Sequence, residues 1–252
     1  MELPGGPWLE TVLLCAVRVT AFIVIAPPFS HSSFPMRIRA MLGVGLGLAI
    51  AARPGLSGRA ALDTAALLGA IAAEALTGLV LGFLVYLAFA ALQSAGSLID
   101  LFAGLQMATV YDPGSLVNGA QFTRLVHMAG LALLISSDGY QLVLAGLAGS
   151  FDAVPLGGQL DLARPVEAML AASSGLLVAA LQIAGPLLAV LFLADVGLGL
   201  LTRIDPALNA FQMGFPLKVL LTLLLAGTLF LALPAVVAAL AGQAARALTG
   251  VG

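Results

Sequence analysis

Six apolar segments fill most of the chain and constrain its fold more than any other feature. They run from Leu9 to Pro27, Met36 to Ala52, Ala65 to about Gln93, Leu125 to Ser150, Ala171 to Thr202 and Gly214 to Gln243. A helix needs about 20 mainly apolar residues to cross the hydrocarbon core of a bilayer. Each segment is close to that length or longer. Leu, Ala, Val and Gly dominate, and no alternation with a period of two appears, which excludes barrel strands. The expected fold class is therefore all-α: a multi-helix integral membrane protein with about six long, apolar, partly kinked helical segments. The third, fifth and sixth segments exceed the span length, so tilt or kinks are expected. Breaks are expected near Pro27-Pro28, Pro113, Pro155, Pro186 and Pro216. The fourth segment has a polar dent, "SSDGY", at Ser136 to Tyr140.

Composition excludes the soluble alternative. Of 252 residues, 61% are hydrophobic and only 9% charged, against about 25% charged in soluble domains. A soluble chain of this size lacks the polar cover for so much apolar surface. The formal net charge of -2 offers nothing to nucleic acid. Cys15 is the only cysteine, so no intrachain disulfide forms, and a lone thiol in an apolar run behaves as a small hydrophobe. Glu2 and Glu10 stand where a cleavable signal would carry basic residues, so the first apolar run is expected to be retained. No repeat or low-complexity linker divides the chain, which reads as one domain over residues 1–252.

Catalytic chemistry has no evident residues to run on. His31 and His127, the only histidines, have no metal-ligand spacing with an acid or with Cys15. Phosphate loops and nucleophile elbows are missing from the sequence. The reading is of a protein that is not an enzyme, with no catalytic residue, metal or cofactor.

Charges within the spans carry more information. Arg18 lies midway in the first segment, Glu74 in the third and Asp195 in the fifth; Asp100 ends the third, and Asp138 dents the fourth. An isolated charge at mid-bilayer costs about 2.5–3.5 kcal/mol on insertion scales. Such residues face a protein interior or a wet cavity. They could form a proton or substrate path, or buried polar contacts that fix assembly, and the second reading is preferred. Two glycine pairs, Gly43 with Gly47 and Gly78 with Gly82, have the spacing that lets helix backbones approach closely. Loop charges fit no simple serpentine topology: Arg37 and Arg39 after the first span favour an outside N-terminus, which then places Arg53 and Arg59 outside as well.

The stretch "GLQMATVYDPGSLVNGAQF", Gly104 to Phe122, interrupts the apolar pattern. Asp112-Pro113-Gly114 suits an ordinary turn. Met107, Val110, Tyr111 and Leu116 equally suit a constriction that excludes water. Gly114, Asn118 and Gly119 give the backbone freedom to move.

The stretch "RVTAFIVIAPPFSHSSFPMRIRAML" resembles the FliR family, the flagellar export-gate component related to the SctT subunit of type III secretion. The likeness rests on Arg18, Phe22, Pro27, Phe29, Pro35, Arg37 and Arg39. It continues at Glu74, Gly78, Gly82 and Phe83, and through Gln93, Gly96, Asp100, Gly104, Met107, Ala108, Asp112 and Pro113. It resumes at Asp138 and Gly139, then at Ser150, Phe151, Pro155 and Gly157. It ends in "GPLLAVLFLADVGLGLLTRIDPALNAFQMGFPLKVLL" with Pro186, Asp195, Gly199, Arg203, Pro206, Asn209, Gly214, Pro216 and Lys218. Two positions depart: Ala21, where the family often has glycine, and Tyr140, where it often has histidine. The "GFPLK" ending looks flagellar.

The resemblance implies a subunit of the flagellar type III protein export gate in the bacterial inner membrane at the basal body. Such a subunit assembles with five copies of FliP and four of FliQ into a tapered pore for unfolded flagellar proteins, with FlhB around its entrance. Residues 1–165 would be FliP-like and residues 170–252 a FliQ-like helical hairpin. The gate stands largely above the membrane plane, which accounts for the poor loop-charge statistics. The stretch holding Met107, Val110, Tyr111, Asp112, Pro113 and Leu116 would plug the closed pore. Arg18, Glu74, Asp100, Asp138, Asp195, Arg203 and Lys218 would be buried polar or assembly residues. The alternative of another class is a secondary transporter or permease subunit for a small solute, which would call for an internal repeat and a midplane binding site.

Overall fold

The computed structural model describes residues 6–30, 34–54, 56, 62–106, 121–157, 163–204 and 210–250. Among the described residues every regular element is a helix: α1 (Gly6–Ile25), α2 (Met36–Ala51), α3 (Thr64–Phe102), α4 (Gln121–Ser136), α5 (Gly139–Ala153), α6 (Ala163–Ile204) and α7 (Ala210–Thr249). Helices satisfy their own backbone groups, which an apolar environment demands. Four of them, α1, α3, α6 and α7, are long and apolar enough to cross a membrane. The pair α4 and α5 makes a fifth span if counted as one. Helix α2 has 16 residues, about 24 Å at 1.5 Å per residue, and falls short of the roughly 30 Å hydrocarbon core. The second apolar segment is thus a helix but not a full span.

Local chemistry sets most of the ends. Helix α1 stops just ahead of Pro27-Pro28, because a residue preceding proline is pushed out of the helical region. Helix α5 stops at Ala153, ahead of Pro155, for the same reason. The dent at "SSDGY" is a true break: Asp138 takes a left-handed conformation, φ 56°, which aspartate tolerates better than most residues. The expectation of breaks at Pro186 and Pro216 fails. Both lie inside helices, as does Pro234. A proline forfeits one backbone hydrogen bond, whereas ending the helix in apolar surroundings would strand several polar groups.

The chain packs as two compact units, each drawn from separate stretches. The first unit comprises Met1–Phe89, Asp138–Ser173 and Leu240–Gly252. Its centre is α1, with Val19, Phe22 and Ile23 fully buried. Both glycine pairs face α1. A Cβ on Gly47 would lie 2.5 Å from Ala16 Cα, and one on Gly43 would strike Thr20. From the other side, a Cβ on Gly78 would strike the Arg18 carbonyl, and one on Gly82 would lie 2.8 Å from the Phe22 carbonyl oxygen. Helices α2 and α3 therefore press their backbones onto α1 through glycine.

The second unit comprises Ala90–Ser137 and Ser174–Ala239. Helices α3 and α4 touch closely where a Cβ on Gly96 would lie 2.6 Å from Thr123 Cα. Phe122 of α4 packs against Phe230 of α7, ring centroids 6.4 Å apart. In their most apolar windows only 22% of α6 and 28% of α7 is buried within the chain. Leu193, Leu200, Leu220, Leu223, Leu224 and Leu231 of these helices stand exposed.

Candidate functional site

Arg18 and Glu74 come from different helices, and their side chains are 0% and 2% exposed. Arg18 Nε donates to Glu74 Oε2 at 2.5 Å. Arg18 Nη1 donates to the carbonyls of Val154 at 2.9 Å and Ser150 at 3.2 Å. Those carbonyls belong to the last turn and the C-cap of α5, so the guanidinium sits at the negative end of that helix and satisfies its orphan acceptors. The guanidinium carbon also lies 4.3 Å from the centroid of the Phe151 ring, a favourable placement for a cation over a π face. Glu74 is held from its other side: Oε1 accepts from the backbone N–H of Gly157 at 2.9 Å. Gly157 has φ 63°, a conformation suited to glycine. Two lone intraspan charges of the sequence are thus one ion pair that ties α1, α3 and α5 together.

Asp100, fully buried, has a different task. Its Oδ2 accepts from the Thr123 N–H at 2.8 Å and from the Thr123 hydroxyl at 2.5 Å, and its Oδ1 accepts from the Phe122 N–H at 3.2 Å. These are first-turn amides of α4, which have no partner within their own helix. A carboxylate at a helix N-terminus also meets the positive end of the helix dipole. Asp100 therefore caps α4 from the neighbouring helix α3.

Asp195 on α6 and Lys218 on α7 form the third charged contact, Nζ to Oδ1 2.5 Å, with side chains 45% and 18% exposed. The Asp195 side chain is nearly half exposed, and its sequence neighbours Phe192, Leu193 and Val196 are exposed too. Arg203 is exposed near the end of α6, and Asp138 is exposed at the α4–α5 break, where it accepts from the Gln141 side chain at 3.0 Å. Neither residue is buried within this chain; Asp138 serves the break, and an exposed turn keeps its carboxylate outside. The stretch with Met107, Val110, Tyr111, Asp112, Pro113 and Leu116 lies outside the described residues.

Sequence reasoning missed the backbone partners. Ser150, Val154, Gly157 and Thr123 carry no charge, and apart from the Thr123 hydroxyl their roles come from carbonyls and amides that any residue possesses. Gly157 was the one readable signal, since a glycine shortly after a proline often marks a left-handed turn.

These features define a class: an all-helical, multi-span membrane protein whose buried charges are spent on holding helices together and whose longest helices show apolar faces outward. The sequence profile of the family described as "Bacterial export proteins, family 1" matches residues 9–244. The chain is similar to the flagellar biosynthetic protein FliR of Escherichia coli, 33% identical over 211 residues, covering 83% of this chain and 80% of that protein. It is similar to the FliR of Bacillus subtilis, 32% identical over 215 residues, 82% and 81% of the two chains. It also resembles Yop proteins translocation protein T of Yersinia pestis, 28% identical over 214 residues, 83% and 82% of the two chains. The chain belongs to this family of bacterial export proteins, the FliR family, and is a multi-pass protein of the bacterial inner membrane.

Proposed function

We propose that this chain is the FliR subunit of a flagellar type III export gate, joined by five FliP and four FliQ subunits, with FlhB at the entrance, around a pore for unfolded flagellar proteins. The observation that carries the reading, beyond family membership, is the outward face of α6 and α7. Those helices bury little of their apolar surface within the chain, yet they display the half-exposed Asp195. Lipid would cover the leucines but not the carboxylate. A neighbouring protein helix covers both. Residues 170–252 then act as the FliQ-like hairpin and residues 1–165 as the FliP-like part.

The segment with Met107, Val110, Tyr111, Asp112, Pro113 and Leu116 is the plug in this reading. A pore wide enough for an unfolded chain passes hydrated ions unless apolar groups close it, and apolar constrictions close by dewetting. The experiment has two parts. In mild detergent the chain should co-purify with two other small hydrophobic proteins at fixed stoichiometry, and expressed alone it should aggregate or be degraded. Deleting Val110 to Gly119 should leave assembly intact and open an ion leak. A monodisperse, stable monomer in detergent would point to the permease alternative.

A further inference from the structure

Three helices of the first unit share an outward face whose polar groups stand only at its two edges. Gly47 meets Ala16 and Gly43 meets Thr20, so α2 runs antiparallel to α1. That register brings Arg37 level with Ala26, just past the end of α1, and Arg53 level with Glu10. Gly78 meets Arg18 and Ala21, and Gly82 meets Phe22 and Ile25, so α3 runs parallel to α1. One turn further on, Tyr86 reaches the level of Arg37.

At the first edge stands Trp8, the only tryptophan, 46% exposed. Beside its level lie Glu10, which accepts from the Leu62 N–H at 3.1 Å, and Arg53, which faces Asp152 at 3.9 Å with both side chains exposed. At the second edge stand exposed Arg37 and Tyr86, with Arg39 donating to the Ser30 carbonyl at 3.0 Å. Between the edges, no exposed residue of the three helices has a polar side chain; Leu13, Met41, Val44, Leu48, Leu76 and Leu79 are the larger ones. From Trp8 to the level of Arg37 the rise is about 27 Å at 1.5 Å per residue. The hydrocarbon core of a bilayer is about 30 Å thick.

We propose that this face is a lipid belt: α1, α2 and α3 meet acyl chains directly, with the Trp8 edge at one headgroup layer and the Arg37–Tyr86 edge at the other. Tryptophan and tyrosine concentrate at both surfaces of a bilayer, because an apolar ring with a polar tip suits that boundary. Arg37 lies along apolar surface and lifts its charge to the phosphates, which makes up the few Å by which α2 falls short of a span. The outward face of α6 and α7 fails the same criterion, because it carries the half-exposed Asp195 within its apolar stretch. A charge there calls for protein; a face with charges only at its edges does not. The chain therefore shows one outward face to partners and another to the bilayer. The lipid belt sets the depth of the first unit within the membrane plane, whereas the family resemblance implied a gate standing largely above it.

The test places the full chain, with the partners it carries, in liposomes. A Cys15→Ser parent receives single spin labels at Trp8→Cys, Leu13→Cys, Leu48→Cys, Val44→Cys, Met41→Cys and Tyr86→Cys. Power saturation compares collision with oxygen, which enters hydrocarbon, and with a water-soluble nickel chelate, which does not. The oxygen-to-nickel ratio should rise several-fold from Trp8 to Leu48 and Val44, then fall again towards Tyr86. Low collision with both agents at Leu48 and Val44 means a protein partner covers the face and overturns the proposal. High nickel collision there means the face stands in water, above the membrane, and overturns it too. A second pair of variants needs no label. Val44→Arg, in mid-belt, should lower the amount of chain recovered in membranes several-fold, whereas Ile38→Arg, beside Arg37, should leave it near the parent level. Equal tolerance of both arginines overturns the belt. Neither measurement depends on the plug or on subunit counts.

Discussion

Arg18 and Glu74, 56 residues apart in sequence, meet at 2.5 Å with neither side chain in contact with solvent. Removing one member leaves the other charge buried without its partner, which costs about 3–5 kcal/mol in known cases. Glu74→Ala should therefore sharply lower the yield of assembled complex in detergent. The double replacement Arg18→Met with Glu74→Leu should recover only part of that yield. Apolar substitutes remove the charge problem, but the carbonyls of Ser150 and Val154 and the N–H of Gly157 still lose their partners. Full assembly of Glu74→Ala, with export failing in a pH-dependent way, would move this pair from architecture to proton handling.

The two charges were visible in the sequence, and so was the expectation that they be partnered. Their pairing was not, because it depends on the rotation of two helices about their axes, and near-uniform apolar composition leaves no stripe from which to read that rotation. The glycine pairs were better guides: Gly43 with Gly47 and Gly78 with Gly82 mark the lines along which α2 and α3 meet α1. Prolines guided the reading only in part. Pro27 and Pro155 lie just beyond helix ends, whereas Pro186 and Pro216 sit inside helices, since apolar surroundings make a broken helix costlier than a missing hydrogen bond. The cap of α4 was illegible for another reason. Local rules look for Ser, Thr, Asp or Asn immediately before the helix, and here the cap is Asp100, on another helix.

Gly78 gives a prediction with a built-in control. A Cβ there would strike the Arg18 carbonyl and lie 2.8 Å from Ala21 Cβ, whereas one on Gly69 would meet nothing within 4 Å. Gly78→Ala should destabilise the chain by roughly 1–3 kcal/mol, the usual cost of overpacking. Gly69→Ala should be neutral or gain up to about 1 kcal/mol from helix propensity. Thermal unfolding of the purified complex compares the two directly. Equal melting temperatures for both variants would mean that α1 and α3 separate more easily than their contact implies.

The Asp195–Lys218 pair separates contacts within the chain from contacts outside it. If the pair serves only α6 and α7, exchanging the charges, Asp195→Lys with Lys218→Asp, should restore what Asp195→Ala removes. If the exposed side of Asp195 meets a donor on a partner subunit, exchange places a cation against that donor, and assembly falls further. The second outcome is expected. Native gel shift of the complex, normalised to the amount of full-length chain made in the same cells, reads it. Recovery on exchange would assign the pair to the hairpin alone.

Tyr111 is the bulkiest side chain in the stretch read as the plug, and it yields a graded test. Closure by dewetting depends on how much apolar cross-section fills the narrowest ring. Tyr111→Ala removes the largest single contribution while leaving Met107, Val110 and Leu116 in the sequence. Its ion leak should therefore fall between that of the parent complex and that of the Val110 to Gly119 deletion. Tyr111→Phe keeps the ring and loses only the hydroxyl, so it should stay as tight as the parent. Ion flux into cells carrying each assembled complex provides the measurement. A Tyr111→Phe leak equal to that of Tyr111→Ala would mean the hydroxyl, through a hydrogen bond, holds the closure. An ion-tight deletion would make the stretch an ordinary turn around Asp112-Pro113-Gly114, its unusual composition serving the connection of two helices and nothing more.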